Sequence, residues 1–283
     1  MISYLWLDIK RFAVLVPGIV IFYLSVRDIF PFFDKRLPFA FAFLATYILG
    51  AYVLIPAILR LWRIIVPANH LPLYCITPDG YASDPLNIGI IGSRRQLIKA
   101  MTAAGWYKTD RRTLGNLTHA ALAILLNRSY PATPVSSLYL FGRKQDISFE
   151  KSLTRNHGRG RRHHVRFWAT TYEDLNTLSA TSIHWYNRRA QPQTTNLLWV
   201  GAASQDIGLT FIKHSLQITH RVVPDTDSER ELIVRQLETS QLAKTLTTIE
   251  LFSPYRLTNR AWGGRHGYLS TDGKMTIVRL NFN

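Results

Sequence analysis

The chain has 283 residues, with 34 Lys and Arg against 18 Asp and Glu, a formal net charge of +16 and a sequence pI of about 10.2. Its single cysteine, Cys75, excludes an intramolecular disulfide and any cysteine-built zinc cluster. The excess of positive charge favours polyanionic partners, whether nucleic acid, anionic lipid headgroups or phosphorylated small molecules.

The apolar residues are unevenly distributed, and the N-terminal end is where they concentrate. Residues 12–26 are uncharged but interrupted by Pro17-Gly18. Lys10 and Arg11 can snorkel to an interface and let Tyr4, Leu5, Trp6 and Leu7 extend the apolar length. Residues 38–59 form an uninterrupted uncharged run, about 33 Å long as a helix and enough for a hydrocarbon core. Arg60, Trp62 and Arg63 follow it, the composition of an interfacial exit. Residues 1–70 are therefore expected to be a transmembrane helical hairpin, with spans at about 12–33 and 38–60. A cleaved signal peptide fits less well, because its small-residue site, Ala40-Phe41-Ala42, lies beyond a charged loop and inside the second run. Lys10, Arg11, Arg60 and Arg63 flank the termini, against Arg27, Lys35 and Arg36 in the loop. That balance points to a multi-pass protein of the inner (plasma) membrane with its C-terminal domain in the cytoplasm.

Residues 71–85, rich in Pro, Asp and Gly, read as a linker, and residues 86–283 as a basic α+β domain, a mostly antiparallel sheet with a few packed helices. Leu86–Ile91 reads as a buried strand. The turn at Gly92-Ser93 leads into a helix whose capping box is Ser93 with Gln96. A second helix is expected over 114–126 and a third over 228–239, the latter with a capping box of Ser228 and Glu231. Strands are expected at SSLYLF, HHVRFW, LLWVGAAS, LTFIKHSL and TLTTIELF. The run GYLSTDGKMTIVRLNF reads as a hairpin closed by Asp272-Gly273.

Four segments are denser in chemistry than a sheet requires: LFGRKQD at 140–146, RRHHVRFW at 161–168, WVGAASQD at 199–206 and THRVVPDTDSER at 219–230. Together with the NIGIIGS start and the later Gly105-Trp106, they resemble the LssY carboxy-terminal domain family of bacterial membrane proteins over roughly residues 84–240. The family pattern has a GR-x-x-D element, a basic strand, a W-x-G-A-x-x-D strand and a Thr-His followed by an acidic helix start. The resemblance implies membrane association and no particular activity. In this family the domain is often joined to modules resembling phosphatidate phosphatases or DedA-type transporters.

Along the basic strand Arg162, His164, Arg166 and Trp168 share one face and His163, Val165 and Phe167 the other. Guanidinium forks match phosphate or carboxylate geometry, so Arg143, His164, Arg166, Asp206 and His220 are the expected ligand-binding set. His164, His220 and Asp206 are also the candidates for catalysis as general base and its partner. The alternative for each is a solvated charge or a structural histidine. No cofactor is expected, and no metal, because adjacent His163 and His164 point opposite ways and no i, i+4 His pair is present. Asp225-x-Asp227 lacks the Gly and Glu of a calcium loop, and Gly92-Ser93 is neither a P-loop nor a nucleophile elbow.

Two functions remain open. One is a membrane-anchored protein whose basic domain binds an anionic or phosphorylated ligand beside the lipid bilayer. The other is a membrane-associated hydrolase, most plausibly a phosphoesterase. Nucleic acid is not an expected partner, since the basic residues form neither a recognition helix nor an RNA-stacking surface.

Overall fold

The computed structural model describes residues 19–55, 57–58, 74–78, 82–126, 130–140, 143–152, 161–170, 197–212, 217–258 and 268–281. Residues 19–34 form helix α1 and residues 39–55 form α2, joined by a turn at 35–37. Phe30 meets Phe39 edge to face, and Gly50 lies against Ser25 and Ile21, so the two helices run antiparallel. Small residues let them approach: Ala42, Gly50 and Ala51 are buried in the contact. The aromatic and branched residues point outward, among them Phe22, Phe41, Phe43, Leu44 and Val53.

The expected pair of transmembrane spans is thus met as a helical hairpin and no further. Among the described residues no helix is long and apolar enough to cross a membrane. The α-helical run Phe39–Ile48 has 10 residues before a π-helical stretch at Leu49–Leu54. In α1 a π-helical stretch at Ser25–Ile29 carries Arg27 and Asp28. The start of the first expected span and the exit at Arg60 lie outside the described residues.

The remainder is α+β, as expected. Its strands are β1 (Tyr74–Ile76), β2 (Ala82–Pro85), β3 (Ile88–Gly92), β4 (Tyr107–Lys108), β5 (Tyr139–Leu140), β6 (Arg143–Lys144), β7 (Ile147–Ser152), β8 (Arg161–Thr170), β9 (Leu197–Ile212), β10 (Gln217–Val222), β11 (Ala243–Glu250), β12 (Tyr255–Thr258), β13 (Tyr268–Thr271) and β14 (Lys274–Leu280). Helices α3 (Arg94–Ala103), α4 (Leu114–Leu125) and α5 (Asp227–Thr239) complete it. The main sheet runs β11-β14-β3-β9-β8-β7-β4, with β10 pairing β9. Only β14 and β3 pair in parallel. A smaller sheet, β2-β1-β5-β6, and a ribbon, β12-β13, stand apart from it.

Strand alternation gives the main sheet two buried faces. On one, Ile88, Ile90, Val165, Phe167 and Trp199 pack against Leu97 and Met101 of α3 and Ile233 and Leu237 of α5. On the other, Ile91, Trp168, Leu198, Val200 and Ile277 pack against Cys75, Leu86, Leu138 and Leu140 from the region of the smaller sheet. The stretch read as a linker therefore supplies β1 and β2, a cover for the second face. LLWVGAAS and the first half of LTFIKHSL, read as two strands, belong to one strand of 16 residues, Leu197–Ile212; residues 213–216 lie outside the described residues.

Two local expectations are corrected. Asp272-Gly273 does not close a hairpin. β13 pairs β12, whereas β14 pairs β11 from Glu250↔Lys274 to Ala243↔Leu280. Gly273, at φ +76, carries the chain from the ribbon into the main sheet, and an added Cβ would lie 1.9 Å from the Phe252 carbonyl oxygen. At α5 the N-cap is Thr226 and not Ser228. The Asp225 carboxylate accepts from the backbone N–H groups of Asp227 and Ser228, filling the role assigned to Ser228. The box at α3 forms as expected, with Gln96 N donating to Ser93 Oγ and Ser93 N to Gln96 Oε1.

Gly201, in the Trp199-Val200-Gly201-Ala202 run, sits where β9 passes between Phe167 and Ile88. A Cβ there would lie 2.5 Å from Phe167 and 2.7 Å from Ile88. Gly201→Ala is expected to destabilise the domain by about 1–3 kcal/mol through overpacking, read as a lowered unfolding midpoint. An unchanged midpoint would contradict this packing.

Candidate functional site

Antiparallel pairing of β7, β8 and β9 sets the site. Glu150 lies opposite His164, and His164 opposite Ser204. Arg162 lies opposite Asp206, and Ser148 opposite Arg166. Directly paired residues share a face. One face therefore collects Ser148, Glu150, Arg162, His164, Arg166, Ser204 and Asp206, and Asp84 of β2 meets them from the covering sheet. The alternation read from the sequence is observed, but its consequence differs. A solvated charge was the alternative for these residues; instead the smaller sheet covers the face, leaving His164 5%, Arg166 6%, Ser204 1% and Asp206 3% exposed.

Burying charges is tolerable only when they are paired. Arg166 donates to Asp84 Oδ2 at 3.0 Å and to the Ser136 carbonyl at 3.3 Å. Arg162 reaches both Glu150 oxygens at 3.2 Å, and Glu150 Oε1 also accepts from Thr133 N at 3.1 Å. His164 Nε2 lies 2.8 Å from Asp206 Oδ1. Nε2 therefore carries the proton, an assignment that follows from its carboxylate partner.

Two atoms in this row stand apart. His164 Nδ1 and Ser204 Oγ are buried and without a hydrogen-bond partner, although their residues lie directly opposite each other. A buried polar group left unsatisfied costs about 1–3 kcal/mol, so this pair holds hydrogen-bonding capacity that the fold leaves unused. With Nε2–H directed to Asp206, Nδ1 is the ring nitrogen left for a further hydrogen bond, and Ser204 offers a hydroxyl able to donate or accept.

Of the five residues expected to bind a ligand, three share this face: His164, Arg166 and Asp206. His164 and Asp206 touch each other directly, and the Arg166 guanidinium is engaged by Asp84. Arg143 lies on β6 and is engaged by Asp146 and the Ala169 carbonyl. The backbone of His220 pairs with Leu209 on β10–β9; its side chain lies outside the described residues. Trp168, on the same face of β8, is fully buried and donates to the Arg143 carbonyl at 3.2 Å.

Sequence reading missed Ser204, Asp84 and Glu150. Ser204 was within reach, because it lies two residues from Asp206 on the same strand and must share its face. On the opposite face of β8, His163 Nδ1 lies 2.9 Å from Glu229 Oε2 at the start of α5. Arg230 of the same helix clamps Asp272 through two hydrogen bonds, at 2.8 and 3.0 Å.

Burial pushes the Glu150 carboxyl above its ordinary value, and Arg162 and His164 only partly oppose this. A raised folded-state value favours the protonated form in the fold. Its contribution to stability is full below the unfolded value, about 4.5, and is lost as pH rises through the folded value. The stability of the native protein relative to Glu150→Gln should thus be highest in acid and fall as pH is raised. Paired denaturation curves across pH check this, and a difference that grows with pH would contradict it.

A search of curated proteins and a search of solved structures each found no match. A family model described as LssY C-terminus matches residues 68–275, from before β1 to the start of β14. The chain belongs to the LssY C-terminal domain family.

Proposed function

We propose that this protein is held at a bilayer by its N-terminal hairpin and binds an anionic, phosphorylated ligand through the polar row centred on His164. The observation that carries the reading is the unpartnered pair of His164 Nδ1 and Ser204 Oγ. A phosphomonoester has both P–O acceptors and, as its monoanion, a P–OH donor, so it matches a hydroxyl beside an imidazole nitrogen. The net charge of +16 favours an anion at long range.

The hairpin reading rests on its inverted surface. Phe22, Phe41 and Phe43 point outward, whereas the small residues Ala42, Gly50 and Ala51 are buried between the helices. Contiguous outward apolar surface marks a lipid or protein contact. With basic residues flanking the termini, the inner membrane and a cytoplasmic domain are the assignment the charge pattern favours.

A phosphoesterase is the second reading, favoured by the order Ser204, His164, Asp206 across β9 and β8. In that chemistry Ser204 Oγ forms a bond to phosphorus as its proton passes to His164 Nδ1. The ester oxygen departs with that proton. A water, deprotonated by His164, then takes the phosphoryl group from Ser204 to release inorganic phosphate and restore the hydroxyl, while Asp206 holds the ring.

Binding of inorganic phosphate to the full chain in detergent separates these readings. His164→Gln is expected to weaken phosphate binding about tenfold or more, equivalent to about 1.4 kcal/mol, with the unfolding midpoint nearly preserved. Unchanged affinity would overturn the binding reading. Turnover of a phosphomonoester that Ser204→Ala abolishes would favour the hydrolase.

A further inference from the structure

α4 has its sides reversed for a helix packed on a soluble domain. Leu114, Leu117, Leu122 and the adjoining Leu126 are 81, 38, 54 and 59% exposed, whereas Ala123 is buried. Asn116 and Ala120 are half-buried on that same inner side. At 100° per residue, Leu114, Leu117, Ala121 and Leu122 fall on one outward sector. The helix LGNLTHAALAIL contains no Lys, Arg, Asp or Glu, so nothing on it compensates for the exposed leucines.

Cations gather at its head instead. Arg111 and Arg112 immediately precede it and are exposed, as is Lys108. The positive end of the helix dipole disfavours cations there, so these arginines do not serve the helix itself. From Arg111 to Gln145 the sequence has no Asp or Glu. The helix is nonetheless anchored in place. Asn116 Nδ2 donates to the Arg111 carbonyl at 2.8 Å, His119 stacks on Tyr130, and Tyr130 donates to Asp110.

We infer that α4 is a second, interfacial membrane contact. Its leucines lie at the headgroup–acyl boundary of an anionic bilayer, and Arg111 and Arg112 meet the lipid phosphates. An uncharged leucine face beside exposed arginines is the composition that lies in a bilayer surface, where apolar burial and attraction to anionic lipid add. The inference rests on the membrane reading of the hairpin but uses a separate segment.

The test uses the full chain reconstituted in phosphatidylcholine–phosphatidylglycerol vesicles, with an environment-sensitive fluorophore placed by Leu122→Cys, Phe43→Cys or Leu246→Cys. Cys75 is buried and stays unlabelled. Probes at 122 and 43 are expected to be blue-shifted and quenched by lipids brominated on their acyl chains, and the probe at 246 is not. Arg111→Glu with Arg112→Glu should reduce quenching at 122 and leave it unchanged at 43. Quenching at 43 without quenching at 122 overturns the inference and spares the hairpin. Absence of quenching at both positions overturns both. A blue shift at 122 without lipid quenching, accompanied by cross-links between chains, assigns the face to a second copy and overturns the inference.

Discussion

Polar, ionisable groups buried between two sheets must find partners within the fold, and this requirement organises the domain. Asp84, Glu150, Arg166 and Asp206 are all nearly inaccessible, and no solvent repays their lost hydration. Their pairing across three strands and the covering sheet fixes register more narrowly than apolar packing does. A slip of one residue along β8 would move Arg166 and His164 to the helix side and bring Val165 and Phe167 among the carboxylates. The Arg166–Asp84 pair also ties β8 of the main sheet to β2 of the smaller one.

β8 meets the requirement on both sides. Toward α5 it presents His163 to Glu229, among Val165, Phe167 and Ala169 of the helix-side core. Toward the smaller sheet it presents Arg162, His164 and Arg166 in sequence, ending on Trp168 in the second core. One strand thereby joins both layers and carries the basic side chains of the candidate site, Arg162, His164 and Arg166. Those already engaged by a carboxylate hold the fold together. The His164–Ser204 pair retains hydrogen-bonding capacity, which is why the functional reading centres there.

Local periodicity made much of this fold legible in the sequence. The capping box at Ser93, the helices over 114–126 and 228–239 and the alternation along β8 all follow from neighbours within a few residues. Pairing across long distances was not legible. Asp272-Gly273 has the composition of a hairpin turn, yet β14 takes β11 and β3 as partners and the glycine serves a change of sheet. His164 and Asp206 were identifiable as chemistry, but their contact depends on β8 meeting β9 across 42 residues of sequence separation. The cover over the basic face was hidden for the same reason: β1 and β2 are short, and β1 takes as its second partner a strand more than 50 residues onward.

The account stands most directly on the protonation and surroundings of the His164 ring. Nitrogen NMR of the full chain labelled at histidine reads both, with His164→Gln identifying its signals. The account predicts a ring protonated at Nε2, and an Nδ1 resonance that moves as inorganic phosphate is added and moves less in Ser204→Ala. A ring protonated only at Nδ1, or an Nδ1 signal indifferent to phosphate, would contradict it.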